Sequence, residues 1–412
     1  MAGAAMIDIT PPPGLAMAGF AARTEPAIGA HDRLSARALV IDDTAFLAAD
    51  VLGFDGAMSQ RIRDRCLVPA DRVIHAATHT HGGPATLPGR AGGSVDAFYL
   101  ARLEAGCIEA IDTAFRNRRP ARLLMGLGAD PAIGRNRRHA GGPVEPTTPL
   151  LRVCGVDGAP IAVLFSYACH PVTLGPDNRL WTADYVHFAR TRIEQAIPGT
   201  TAIFATGCCG DVNTGHSAAD SLTITATSAR SFPTAEALGT AIADAALKAP
   251  LRQLEGAVRI KNAWVALPYQ RRESNLAELS QLWRQERESA DPARQTLLHH
   301  WIRWAETIAP TPDPLPWYGR VTALHWGPIT LIALPGEIFA QTGLDIRARL
   351  DTKNAFIISY AESFPGYIPP RREYPHGGYE VDEAHRFIAT PATFAPGCAE
   401  ALARVAEELA RR

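Results

Sequence analysis

A mixed α/β (α+β) fold is predicted for this chain: a multi-sheet domain with mixed sheets flanked by helices. Three observations predict it. Short β-branched or aliphatic runs recur in pairs separated by turn residues, longer runs carry a helical apolar period, and the two kinds alternate without the regular strand–helix order of a purely parallel doubly wound sheet. With 412 residues, 47% of them hydrophobic, the chain has material for a large core.

The elements follow in order. Met6–Thr10 reads as a strand, and Ser35–Asp42 and Thr44–Asp50 as a pair joined across Asp42-Asp43 in a hairpin. Asp55–Arg65 is predicted helical. Arg72–Ala77 is a buried strand that delivers Thr78-His79-Thr80-His81-Gly82-Gly83-Pro84 at its end. Val95–Asn117 places Tyr99, Leu100, Leu103 and Ile108 at helical spacing, and Arg122–Leu127 returns to strand. Leu150–Val156 and Ile161–Tyr167 form a pair over Asp157-Gly158. Ala183–Ala196 and Thr234–Ala249 are predicted helices on either side of a strand, Thr201–Ala205, and the sheet pattern resumes after Pro250.

Residues 273–309, rich in Glu, Gln, Arg, Leu and Trp, form one or two amphipathic helices interrupted near Asp291-Pro292. Their Trp283, Trp301 and Trp304 either line a lid or pack the pair, and packing is favoured. Arg320–Leu334 is strand-like, Ile338–Leu350 helical, and Cys398–Arg411 a closing helix. Strands continue past the proline-rich Pro310–Pro316, so residues 1–412 are read as a single domain with a helical excursion at about 273–309.

Composition excludes several classes. With 41 basic and 42 acidic side chains the formal charge is −1, which gives no global field for nucleic acid or an anionic membrane and favours a small, weakly charged partner. No apolar run reaches the ~18 residues of a transmembrane helix, and the N-terminus lacks the basic and apolar regions of a secretion signal. Seven cysteines without CxxC spacing argue against a disulfide framework and for a reducing cytoplasm. Adjacent Cys208-Cys209 is read as small-residue packing over a redox or soft-metal site.

Four strand ends carry polar chemistry. On an extended segment His79 and His81 point the same way, as two ligands, as a ligand beside a base, or as exposed loop histidines. The apolar strand Val163–Tyr167 leads into His170-Pro171. Leu331–Leu334 runs into Pro335-Gly336-Glu337, whose carboxylate among aliphatic residues calls for a partner, a metal, or a place in the first turn of the next helix. Thr201–Ala205 leads to Cys208-Cys209-Gly210-Asp211-Val212-Asn213, where backbone amides approach a substrate or merely turn. Two histidines and a carboxylate are a common set for hydrolytic zinc, with a position left for water.

Seven blocks in order, THTHGGP, Gly134-Arg135-Asn136-Arg137, FSYACHP, Thr182-Ala183-Asp184, ATGCCGDVN, LPGE and Gly366 to Tyr374, make the chain similar to the neutral (alkaline, non-lysosomal) ceramidase family over about residues 5–380. The resemblance implies a zinc amidase with one Zn2+ per chain. It implies His79, His170 and Glu337 as ligands, Tyr367 as an unusual fourth, His81 as the catalytic neighbour and Arg137 as the arginine of the family's Asn-Arg block; the mechanism expected from this set has His81 as base and Tyr367 with Arg137 at the oxyanion. Asp184 and Asp211 are expected to fix the far nitrogens of the histidines.

This sequence also departs from the family pattern. Gly82 and Asn213 stand where family serines do, and Arg138-His139 replaces Ser-Pro. The expectation is therefore retained metal machinery with changed groups at the substrate, which is not ceramide itself. The expected reaction is hydrolysis of a small-molecule carboxamide, with an ester or lactone, or a non-catalytic small-molecule binder, as alternatives. Oligomerisation stays open.

Overall fold

The computed structural model describes residues 1–90, 93–217, 219–222, 224–273 and 275–411, so Ser274 of the helical excursion lies outside the described residues. Ala2–Asp8 (β1), Ser35–Ile41 (β2), Thr44–Ala49 (β3) and Val73–Ala77 (β4) form the first sheet in that order. Asp42, at φ 52°, makes the β2–β3 hairpin turn in a left-handed conformation that aspartate tolerates. β4 joins β3 in parallel, which requires a crossover, and Gly56–Arg65 (α1) with Asp55 as its N-cap supplies one. Along β2, Ala36, Ala38 and Val40 face Leu103, Cys107 and Ala110 of Ala97–Arg116 (α2), while Leu39 and Ile41 face the other sheets. Burial on both faces explains why these strands read as apolar runs without alternation.

Ala121–Ala129 (β5), Thr147–Gly155 (β6), Pro160–Tyr167 (β7), Thr201–Thr206 (β8) and Arg252–Leu254 (β9) make the second sheet, ordered β8-β7-β6-β5-β9. Its one parallel pair, β7 with β8, is bridged by Tyr185–Ala196 (α3), against which Phe232–Leu247 (α4) packs. The third sheet starts with Val258–Leu267 (β10). The chain then makes Leu276–Ser289 (α5) and Pro292–Ile308 (α6), broken where a proline is tolerated only in a first turn.

Trp317–Trp326 (β11) and Ile329–Ala333 (β12) follow, split by Gly327 at φ 61°, so the expected strand Arg320–Leu334 is two strands of a hairpin. Glu337–Ile338 (β13) is itself a strand, and the helix expected from Ile338 begins at Ala340 (Ala340–Arg349, α7). Ala355–Ile358 (β14) completes the sheet β10-β11-β12-β14, parallel to β12, and Tyr367–Ile368 (β15) pairs in parallel with β13. Before Ala384–Ile388 (α8) the backbone makes a wide turn over Tyr379–Glu383, in which the amide of Ala384 donates to the carbonyl of Tyr379, five residues back. Cys398–Arg411 (α9) covers the third sheet.

The three sheets share one apolar cluster, with Phe46 and Ile74 from the first, Leu164 and Ile203 from the second, and Leu331 and Phe356 from the third. Their parallel strands end together: the amide of Ala77 donates to the carbonyl of Tyr360 at 3.0 Å, and that of Ser359 to Thr206 at 3.0 Å. Loops leaving these carboxyl ends therefore meet at one place, where sites form in sheets of this kind. Trp283, Trp301 and Trp304 are buried against the Arg386 guanidinium and pack the helix pair. All seven cysteines are free thiols, Cys208 and Cys209 among them and both buried. Among the described residues no helix is long and apolar enough to cross a membrane.

Candidate metal centre and adjoining cavity

His79 does not continue β4. Its φ is +63°, so the segment is no longer extended, and the expectation that His79 and His81 face one site through strand alternation is corrected. The backbone is held in this uncommon conformation by the His79 amide on the Val51 carbonyl (3.0 Å) and by its Nδ1–H on the Leu52 carbonyl (2.7 Å). The turn still brings both rings together, with the His81 Nε2 3.5 Å from that of His79. Behind them Asp50 accepts from Thr78, from Ser35 and from both terminal nitrogens of Arg190, each of the last at 2.9 Å. A buried bidentate pair thus anchors the end of β3 beside the histidine loop.

His170 leaves β7 and donates its Nδ1–H to the Cys209 carbonyl at 2.7 Å. Glu337 lies in β13, and its Oε2 is 3.0 Å from the His170 Nε2 and 3.4 Å from that of His79. All three residues are at most 2% exposed, so no bulk water screens them. Carbonyl oxygens only accept, so each Nδ1 carries the ring proton and each Nε2 presents a lone pair. Two nitrogen lone pairs and a carboxylate then point at one another within a span of 4.8 Å with no proton between them, an arrangement that suits a divalent cation. Burial opposes ionisation of Glu337, and its pKa falls only where positive charge stands beside it; with both rings neutral, that charge is a cation's to supply. Burial lowers His170, whose imidazole stays neutral as a ligand requires.

A phenol in contact with this triad belongs to Tyr360, which the sequence reading missed. Its hydroxyl lies 3.4 Å from the His170 Nε2 and 3.4 Å from the Cys209 sulfur, and its ring stacks on His79 at 4.1 Å. Tyr367 stands opposite Glu337 in the β13–β15 register, and its oxygen accepts from Arg137 Nη2 at 2.9 Å. Burial raises the Tyr367 phenol well above its ordinary value, against the pull of Arg137. Arg137 is held by Glu380 (2.7 Å) and the Gly210 carbonyl (2.9 Å).

A cavity of about 280 Å³ adjoins the triad, lined by His81, Arg137, Tyr367 and Asn213, then by Leu297 of α6 and by Tyr379, Glu383 and Phe387. The His81 ring is boxed in by the edge of Phe20 at 4.7 Å and by Gly19, where a Cβ would lie 2.5 Å from the ring. Burial pushes His81 well below its ordinary value, so its imidazole is neutral.

Other expected site residues stand elsewhere. Asp184 caps α3 and accepts from the amides of Tyr185 and Leu174; Asp211 accepts from the amide of Ala340 and from Asn136. The histidine nitrogens assigned to them are taken by the backbone carbonyls of Leu52 and Cys209, so that expectation is corrected. Gly82 does not line the cavity. Its carbonyl accepts from Thr182, and a Cβ there would meet the Thr182 oxygen at 2.5 Å. Arg138 and His139 also face away, paired with Glu373 and, for Arg138, Glu380. Asn213 is the one departure that reaches the cavity, where its side chain also organises the turn to His216.

A family model for the N-terminal part of the neutral/alkaline non-lysosomal ceramidases matches residues 1–228, more than half of the sequence. The chain belongs to this ceramidase family. Its fold is a ceramidase hydrolase fold throughout. It superposes on a structure described as a ceramidase complexed with C2 at a TM-score of 0.74, with 18% identity over 99% of this chain and 74% of that one. The neutral ceramidase from Pseudomonas aeruginosa gives 0.74 and 17% identity over 99% and 73%. Both are likenesses of fold.

Proposed function

We propose that the chain is a zinc-dependent amidohydrolase that cuts a carboxamide of a small acyl compound, with one Zn2+ on His79, His170 and Glu337. The observation that carries this reading is the set of three proton-free donors beside a neutral imidazole that opens on a cavity. An ion bound there supplies Lewis acidity and lowers the pKa of a water molecule toward neutrality. The residues of the chain do the rest.

His81, boxed between Gly19 and Phe20, offers its Nε2 to take a proton from the attacking water and return it to the leaving amine. Because the Tyr367 oxygen already accepts from Arg137, the phenolic proton is free to donate to the carbonyl oxygen as charge develops on it. Glu380 keeps Arg137 in place for that task. Leu297 and Phe387 give the cavity an apolar wall that excludes water.

Gly82, Arg138 and His139 do not face the cavity, so a substrate other than ceramide rests on Asn213 and on the size of the cavity. The shared core of the three sheets supports residues 1–412 as one catalytic unit, and seven free thiols suit a reducing compartment. Hydrolysis of matched N-acyl and O-acyl compounds tests the bond class. Amide cleavage that stops on chelation and returns with zinc is expected; cleavage of esters alone would remove the amidase assignment.

A further inference from the structure

Tyr379, Glu383 and Phe387 follow one another at four-residue intervals through the wide turn and α8, and all three line the cavity. Two are aromatic and one is a carboxylate. The surrounding charges are already paired. Glu380 is held by Arg137 and Arg138. Arg386, three residues beyond Glu383, bonds Glu273 at 3.0 Å. Glu383 is half-buried, and among the described residues no hydrogen bond or ion pair engages its carboxylate. The cavity that His81 lines therefore also carries, among the described residues, a carboxylate without a partner, on the same stretch of wall as Tyr379 and Phe387.

We propose that Glu383 is a specificity residue that binds a protonated amine on the substrate, a group distinct from the amide that is cut. The substrates of this chain are then acyl amides with a second, cationic amino group, held by a charge-assisted hydrogen bond to Glu383 beside Tyr379. The assignment rests on His81 marking the reacting part of the cavity, as set out above.

The test is a binding measurement on the whole zinc-loaded chain. Two non-hydrolysable sulfonamides of equal length, one ending in an ammonium and one in a methyl group, are titrated calorimetrically into the parent and into Glu383→Gln. The ammonium compound is expected to bind about ten- to a hundred-fold more tightly than the methyl compound to the parent, the worth of one hydrogen bond to a charged group. That ratio should fall toward one in Glu383→Gln and recover in part in Glu383→Asp, which also serves if the glutamine variant does not fold. A ratio near one in the parent, or one unchanged by Glu383→Gln, overturns the proposal. Binding needs no turnover, so a chain that cleaves neither amides nor esters would refute the reaction proposed above while the ratio still decides on Glu383.

Discussion

Replacing Gly19 by alanine should disable the base while leaving the metal centre alone. Gly19 sits at φ +99°, and an added Cβ would stand 2.5 Å from both Cγ and Nδ1 of His81, against the 3.4 Å at which ordinary contact begins. The ring or the loop must therefore yield by about an ångström, a misplacement that costs on the order of a hundredfold in rate when it falls on a catalytic group. The forced positive φ adds about 1–3 kcal/mol of backbone strain. Gly14 provides the control: its φ is +96°, but a Cβ there meets nothing within 4 Å, so Gly14→Ala carries the strain without the contact. The assay compares kcat/KM, melting temperature and bound metal in both variants. Gly19→Ala is expected to lose about a hundredfold in kcat/KM at unchanged metal content, and Gly14→Ala only stability. Equal activities in the two variants would refute the seating of His81 by Gly19.

Gly82→Ser, which restores the family residue, should destabilise the chain by about 1–3 kcal/mol in denaturant titration, because its Cβ would lie 2.5 Å from the Thr182 oxygen. Asp50→Asn strands the buried Arg190 guanidinium and should cost about 3–5 kcal/mol, together with metal affinity through the loop that carries His79. Asp50 also predicts acid sensitivity. Burial opposes its ionisation, but Arg190 holds its pKa below the usual carboxylate value, so its contribution is complete above that value and is lost as pH falls below it. A melting curve of Asp50→Asn that keeps the parent's slope in that acid range would contradict this. Glu362→Gln, which loosens a buried carboxylate shared by Arg63 and Arg320, should also cost several kcal/mol by the same measurement.

The parts of the site that a sequence discloses are those that end apolar strands. His170 and Glu337 follow runs whose continuous hydrophobicity marks a strand buried on both faces, with glycine or proline to stop it. The parts that stay hidden depend on long-range pairing. Tyr360 lies just beyond β14, a four-residue strand too short to register as a period, and is placed by bonds to the Gly336 carbonyl and the Ala77 amide. Asp184 and Asp211 were natural candidates for orienting histidines because carboxylates often do so, whereas main-chain carbonyls, which every residue has, perform the task here. The left-handed turn at His79 is not legible from residue type, since histidine adopts positive φ more often than most residues yet only in a small minority of cases. The wide turn at Tyr379–Glu383 escapes for a related reason: an extra residue in a helical turn leaves its apolar pattern short and out of phase.

An anomalous-scattering map of crystals of the zinc-loaded chain, recorded across the zinc edge, bears most directly on the claim that three proton-free donors converge on a cation. The expected result is one peak per chain about 2.0–2.2 Å from the Nε2 atoms of His79 and His170 and from a Glu337 carboxylate oxygen, absent in His79→Ala. A protein without that peak, or with its metal bound away from these three side chains, would contradict the account.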